Sequence, residues 1–561
     1  MGTPLRKFML VSTIALLASA STMAIGIALT TPISGGGSLS VDGAQHFQTI
    51  DGFGVNVNSA SWHDGELRPA LDLLVDQLGA TIFRVVIDNA DWEDPNDNDD
   101  AHTFDEPFYT GVYTTPKFEA LWSTMAYLNQ KGITHNLMLN IMGPVATWMG
   151  GSQIHAAIED EWVEMLASLV YYARTIRGLQ FGLLSPMNEP DWDGYEGPQV
   201  DQFQYVRLMQ KLSQKLDGLG LSAIRLVGPD TASVDAGVQA YFPEMLANAA
   251  LMAKLSHFGL HNYAGNTAGA DEAIKRSAFP TKNFWMTEVS NLWDALPEIA
   301  QGATATLVWD AYDSVYNHAI LAGRGTTPPN DAGNGPALLA YDARTGIYTP
   351  RKAFYEHVQL FKYVEPGALR IAATASNDAL AVVAFQHPQT NRVTIVGRNS
   401  GSGDLTIDGS LANLPPIVSL QFSITDVSAD AQRLTDIPVS GNTFTLTVSP
   451  GATFTLTTAS AEPPSPEPPM PACSHTGASA LWGRSTSEAS GLPGARLTLR
   501  GPNSCLDTAI TSGSGLYRFV GLGLGSYTLT PEAQGCAFTP TYQTLEITGR
   551  FTWVPFHASC P

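Results

Sequence analysis

The sequence predicts a (β/α)8 barrel with an attached β-sandwich, followed by a small C-terminal β-sandwich module. Three observations carry this expectation. Between about residues 45 and 320, eight short apolar runs alternate with helix-like segments, the pattern of buried parallel strands joined by crossover helices. From about 366 to 458, strand-like runs recur with turn residues between them, and long helical patterns disappear. All four cysteines lie between residues 473 and 560, directly behind a proline-rich run.

Composition sets the outer limits. Apolar residues make up 44% of the 561 residues and charged residues 15%, so there is ample material for large cores and no sign of a largely disordered chain. Lys and Arg number 30 against 52 Asp and Glu, a net charge of −22. That balance argues against capture of nucleic acid or an anionic membrane surface, both of which need clustered cations.

Residues 1–34 read as a targeting segment. Arg6 and Lys7 precede an apolar run from Phe8 to Ala20, with Ala18-Ser19-Ala20 as a small-residue cleavage site. The apolar character continues to Leu29, so the alternative is an uncleaved anchor, the one route by which the chain would meet a membrane. The expected location is extracellular or at the cell surface, and the expected state is a monomer.

The barrel, assigned to residues 35–365, takes its strands from Thr49–Val57, Thr81–Asp88, Thr134–Met142, Gly182–Pro186, Ile224–Gly228, Ser256–His261, Asn283–Thr287 and Thr304–Trp309. Helical faces lie between several of them. Leu67, Leu71, Leu74, Val75 and Leu78 form one, ended by Gly79, while Val206, Met209, Leu212 and Leu216 form another. A doubly wound sheet is the competitor, weakened because no Gly-rich phosphate turn follows the first strand. Residues 366–460 form the side sandwich, which the early strand Ser38–Val41 is expected to join. Residues 461–472, including Pro463, Pro464, Pro466, Pro468 and Pro469, make a stiff linker.

Behind that linker, residues 473–561 carry Cys473, Cys505, Cys536 and Cys560. An even number in a small segment behind an export signal reads as disulfides, and C-x-x-C zinc spacing is absent. The order of strands suggests Cys505–Cys536 and Cys473–Cys560. Trp482, Tyr517 and Trp553 read as core.

Barrel chemistry sits at the C-terminal ends of strands. Strand four runs into Ser185-Pro186-Met187-Asn188-Glu189-Pro190, and strand seven into Trp285-Met286-Thr287-Glu288. Two carboxylates at one mouth are what hydrolysis of a glycosidic bond by the retaining route requires. One acidic run, Asp91 to Asp100, offers oxygen ligands at alternate positions. It lacks the Gly and Glu that an EF-hand loop counted from Asp94 would need, since Asp99 and Asp105 stand there. It reads as a solvated loop, and neither metal nor cofactor is expected.

These motifs resemble the large clan of retaining glycoside hydrolases whose barrel strands four and seven carry the catalytic glutamates, and within it family 30. The resemblance rests on Gln48-Thr49-Ile50-Asp51-Gly52-Phe53-Gly54, Phe83-Arg84-Val85 with Asp91-Trp92, Trp148-Met149, Asn188-Glu189-Pro190, His261-Asn262-Tyr263, and the helix-to-sandwich stretch from Phe354 to His357 and Phe361 to Ala368. It departs from the family at Ile141–Thr147, where a Ser-Pro-Trp-like run is usual, and at Trp309-Asp310, where Trp-Asn is frequent. The resemblance implies Glu189 as acid/base, Glu288 as nucleophile and Asn188 as a partner of the sugar 2-hydroxyl. It also implies Arg84 beside Glu288, Asp91 on sugar hydroxyls, Tyr263 donating to Glu288, and Trp148 and Trp309 as faces for sugar rings. His261 is expected to pack or to act behind the reacting groups. The C-terminal module resembles carboxypeptidase regulatory-like, transthyretin-type domains and is assigned no site. The function implied is secreted cleavage of a β-linked polysaccharide, endo-acting in preference to exo. The alternative is a non-catalytic carbohydrate-binding or cell-surface protein on the same fold, against which the presence of both glutamates argues. A different hydrolase class is a third reading that no Ser-His-Asp or His-rich constellation favours.

Overall fold

A computed structural model describes residues 35–98, 100–192, 195–313, 337–342, 345–458, 479–487, 490–501, 505–533, 535–549 and 551–560. Residues 1–34, expected as a targeting segment, the proline-rich run expected as a linker, and Cys473 lie outside them. The chain divides into two units, Met1–Ser460 and Ala461–Pro561.

The first strand, β1 (Gly35–Thr49), precedes a closed parallel barrel. Its staves are β2 (Gly52–Asn58), β3 (Ile82–Ile87), β4 (Leu137–Ile141), β5 (Leu183–Ser185), β6 (Arg225–Ser233), β7 (Leu255–Ala264), β8 (Phe284–Val289) and β9 (Ala305–Val308). β2 pairs with both β3 and β9, which closes the ring. Every one of the eight apolar runs in the sequence contributes a stave. Gly79 ends the first crossover helix as expected, with a left-handed φ of 87° that a side chain would resist.

Alternation along the staves stacks the interior in layers. Ile82, Met138, Leu183, Val227, Trp285, Ala305 and Leu307 form an apolar plug. Two residues further along β3, β4, β5 and β8 stand Arg84, Asn140, Ser185 and Thr287, all fully buried. Two further again, Val86, Met142 and Trp309 make a small apolar cluster of their own. A polar layer is thus clamped between two apolar ones, and each of its groups must find a partner inside.

The side domain is one ten-stranded sheet that folds back around a single core. From one edge the order runs Gln432–Arg433, Ser419–Thr425, Thr453–Thr457, Val393–Asn399, Leu380–Gln386, Leu369–Ala375, β1, Leu405–Ala412 and Thr443–Val448, and the tenth strand, Ile437–Pro438, also pairs with Ser419–Thr425. Residues from both ends of that order, such as Phe422 and Phe454 with Leu405 and Leu446, share one apolar cluster. β1 lies between its antiparallel and parallel neighbours from Leu39 to Asp42. The helix Lys352–Phe361 joins sandwich to barrel: Phe361 stacks on Phe53 with ring centres 5.2 Å apart, and Gln359 donates to Thr425.

The second unit packs two sheets over Leu481, Leu497, Leu499, Phe519, Leu529 and Val554. Here the expected disulfides need correction. Cys536 bonds to Cys560, and Cys505 is disulfide-bonded elsewhere. The reason is register: Ala537 pairs with Ser559 across an antiparallel ladder, so Cys536 and Cys560 are the next facing pair. The core assignment is also corrected in part. Tyr517 is buried, but Trp553 is 49% exposed, and it sits beside Trp482 across parallel strands.

The Cys536–Cys560 bridge closes a loop with a sequence separation of 24, which the chain-entropy estimate values at roughly 3–4 kcal/mol. Cys536→Ser should lower the stability of the second unit by about that amount. Calorimetry of the full chain should show this as one transition moved down, with the other in place.

Candidate active site

Glu189 follows β5, and Glu288 lies near the end of β8. One carboxylate oxygen of each lies within 4.8 Å of the other and of a His261 ring nitrogen. Glu288 reaches the interior because β8 slips in register: Leu260 of β7 pairs with Met286, but the next residue, His261, pairs with Glu288. Thr287 is the extra residue, so Thr287 and Glu288 both serve the same buried network.

Arg84 is the centre of that network, with no exposed surface. Its Nη1 donates to Glu288 Oε1 at 2.6 Å and to Asn56 Oδ1 at 2.9 Å, and its Nη2 donates to Asn188 Oδ1 at 2.6 Å and to Asp230 Oδ2 at 3.2 Å. Asp230 in turn accepts from Thr287 at 2.7 Å and from Ser185. Gly259 makes room for Asp230: a Cβ there would sit 1.9 Å from its Oδ1. Because Arg84 takes the Asn188 oxygen, the Asn188 amide nitrogen is the end left to donate to a ligand.

Tyr263 donates to the other oxygen of Glu288 at 2.7 Å. Its ring is half-exposed, but its hydroxyl is sunk against the carboxylate. Burial and the Glu288 charge therefore push its pKa far above the usual phenol range. Burial also pushes the Glu288 carboxyl above its ordinary value, opposed by His261 and Arg84. His261 Nδ1 lies 2.8 Å from Glu189 Oε1, and its Nε2 lies 3.4 Å from Glu288 Oε1. Burial holds this imidazole below its usual pKa. The ring stands between the two acids.

The backbone at Glu189 is left-handed, with φ of 42°, a conformation that costs a non-glycine residue about 1–3 kcal/mol. Its N–H is held by the Asp230 carbonyl at 3.0 Å. Gly197 passes so close to this turn that a Cβ would lie 1.8 Å from the Asn188 carbonyl oxygen.

The structure gathers Arg84, Asn188, Glu189, Tyr263 and Glu288, and it places the other expected residues differently. Asp91 is exposed and 3.7 Å from Lys117. Trp148 is half-buried and donates its indole N–H to the Glu93 carbonyl at 2.6 Å. Trp309 is 8% exposed and packed on Val86 and Met142, so little of its face is open. A cavity of about 380 Å³ opens between the loops after β3, β4 and β5, lined by residues including Asp91, Asp94, Thr147 and Tyr195. Asp230 and Asn56 escaped sequence reasoning. The signal for Asp230 was an ionisable residue just past the apolar run ending at Gly228. Asp310, beside Trp309, is another acid that burial and Asp313 push up, to about 6. Glu189, His261 and Glu288 have the donors to hold a small cation, but Arg84 already sets a positive charge against Glu288.

No protein-family profile matches the chain. Solved structures do. A glycoside hydrolase family 30 subfamily 8 xylanase from Clostridium acetobutylicum is similar with a TM-score of 0.57 at 18% identity, over 75% of this chain and 100% of that one. The catalytic domain of a family 30 xylanase from Talaromyces cellulolyticus gives 0.57 at 16%, over 75% and 100%. An endo-β1,6-glucanase gives 0.53 at 16%, over 75% and 94%. What this chain shares with all three is the fold, a (β/α)8 barrel with an attached β-sandwich.

Proposed function

We propose that this protein is a secreted retaining glycoside hydrolase that cleaves β-linked polysaccharide by double displacement. The observation that carries the reading is the carboxylate pair. Oxygens of Glu189 and Glu288 within 4.8 Å suit attack by one carboxylate on the anomeric carbon, whereas inverting enzymes hold the pair about 6.5–9.5 Å apart to admit a water. Glu288 is the nucleophile. Arg84 and Tyr263 each donate to one of its oxygens, which favours the ionised form and aims it. Glu189 is the acid/base, held by His261.

In the first step the Glu189 carboxyl protonates the glycosidic oxygen while Glu288 attacks the anomeric carbon, forming a glycosyl ester and releasing the leaving sugar. In the second, Glu189 takes a proton from water, which attacks the same carbon and frees Glu288. The Asn188 amide donates to the 2-hydroxyl, a contact that strengthens as the ring gains positive character. Xylanases and an endo-β1,6-glucanase share this fold, and the cavity above β3, β4 and β5 offers polar lining for further sugar units, so the substrate we assign is a polymer. Secretion rests on the N-terminal pattern and the disulfides. Among the described residues no helix is long and apolar enough to cross a membrane.

The roles are tested by rescue of alanine variants on an activated aryl glycoside, chosen after screening xylan, β-1,6-glucan, β-1,6-galactan and aryl glycosides. Glu288→Ala should lose activity on the order of 10⁴-fold or more, and azide should restore turnover with inverted product stereochemistry. Glu189→Ala should still form the glycosyl-enzyme from a good leaving group, and azide should give a retained product. A retained product from Glu288→Ala with azide and an inverted one from Glu189→Ala would reverse the roles.

The pH profile gives a second test. Glu288 must be ionised to attack, and its pKa is raised above the ordinary 4.5. Activity should therefore be present above that raised value and lost as pH falls through it, so the acid limb of kcat/KM should have its midpoint above 4.5. Arg84→Gln removes the opposing positive charge and should move that limb to higher pH, with a fall in kcat/KM of roughly 10²–10³-fold. A limb that stays in place would separate Arg84 from the ionisation of Glu288.

A further inference from the structure

The acidic run after β3 is solvated only in part: Asp91, Asp94 and Asp100 are exposed. Glu93 has no exposed surface, and residues 96–98 are half-buried. The loop folds onto the helix Glu159–Tyr171, which brings a second set of acids to it. Carboxylate oxygens of Glu93, Asp97 and Glu161 lie within 4.8 Å of one another. Two oxygens bound to one Ca²⁺ at 2.3–2.6 Å can stand about that far apart. Glu164, on the same helix, is fully buried and within electrostatic reach of Glu93, Asp97 and Glu161.

Asp97 accepts hydrogen bonds from Asn98 and from the Asp105 N–H, but the buried glutamates beside it are left incomplete. Glu93 Oε2 accepts from the Tyr109 hydroxyl at 2.7 Å, but Glu93 Oε1 has no partner. Neither oxygen of Glu164 accepts a hydrogen bond. Fully buried carboxylates are rarely left this way. The Lys215 ammonium lies to one side: its Nζ is 3.8 Å from Glu164 Oε1 and donates to the Ala101 carbonyl at 2.9 Å.

We propose that Glu93, Asp97 and Glu161 bind one divalent cation of the oxygen-preferring type, Ca²⁺, with the buried Glu164 carboxylate close behind them, and that the ion ties the loop after β3 to the helix Glu159–Tyr171. The buried Glu93, the half-buried Glu161 and Asp97 supply hard oxygen donors, the ligands that Ca²⁺ prefers and zinc or copper do not. The consequence reaches the cleft. The same loop carries Asp91, and the Glu93 carbonyl holds the Trp148 indole, so the ion would set the shape of one wall without touching the reacting groups.

The test uses the full chain, stripped with EDTA and titrated with Ca²⁺ by calorimetry, with Tb³⁺ luminescence sensitised through Tyr109 as an independent readout. One Ca²⁺ per chain should bind, and a hundredfold excess over Kd should raise the Tm of the first unit by roughly 3–5 °C. Asp97→Asn and, as a second and half-buried position, Glu161→Gln should each weaken Ca²⁺ binding by about tenfold or more. Mg²⁺ should compete poorly. Absence of Ca²⁺ binding and of any Tm shift in the native chain would overturn the proposal, as would binding that both variants retain unchanged.

Discussion

A guanidinium with no exposed surface sits in the middle of the barrel, and the candidate site is arranged around it. Taking one ion out of water costs several kcal/mol even after relaxation, and pairing offsets this only when the geometry is good. Arg84 meets that requirement through Asn56 on β2, Asn188 after β5, Asp230 on β6 and Glu288 on β8. These partners come from staves around the ring. The charge is stabilised only if the barrel closes in its proper register, and closure in that register is what brings the two glutamates together.

Other features follow from the same constraint. Thr287 and Ser185 satisfy Asp230 from either side, which leaves Asp230 available to Arg84 in a fixed orientation. Gly259 has no side chain because Asp230 occupies the space. The left-handed turn at Glu189 is tied to the Asp230 carbonyl, so the acid that is not bonded to Arg84 is still positioned by its partner. Glu189 and Glu288 therefore differ in surroundings more than in burial. Glu288 has a cation and a phenol on its oxygens, whereas Glu189 has an imidazole. Environments that differ in this way separate the tasks of two chemically identical groups.

Much of this was legible in the sequence, and the rest was not for identifiable reasons. The eight staves could be read because buried parallel strands are continuous apolar runs. The meeting of Glu189 and Glu288 at one mouth follows from their positions after the fourth and seventh runs. Asp230 was missed because its strand seemed to end at Gly228, whereas β6 continues through Pro229 to Ser233. The disulfide pairing depends on a cross-strand register that strand order alone does not supply. Asp91 was read as a sugar ligand; that it lies at the cavity beside Lys117 depends on how a loop folds over a helix. Glu93 was hidden for the same reason, since an acidic run looks solvated until a second element covers it. Trp309 was read as a face for a sugar ring, and only the layering of the interior shows that it is 8% exposed and clusters with Val86 and Met142.

The central claim is that Glu288, held by Arg84 and Tyr263, becomes covalently bonded to the sugar. A 2-deoxy-2-fluoro glycoside with an activated leaving group tests it most directly, because the fluorine slows both steps while the good leaving group preserves the first, so the glycosyl-enzyme accumulates. Mass spectrometry of the intact chain, followed by peptide mapping, should find one sugar per chain, esterified to the peptide that contains Glu288. A label on Glu189, or on a residue outside the Arg84 network, would contradict the account.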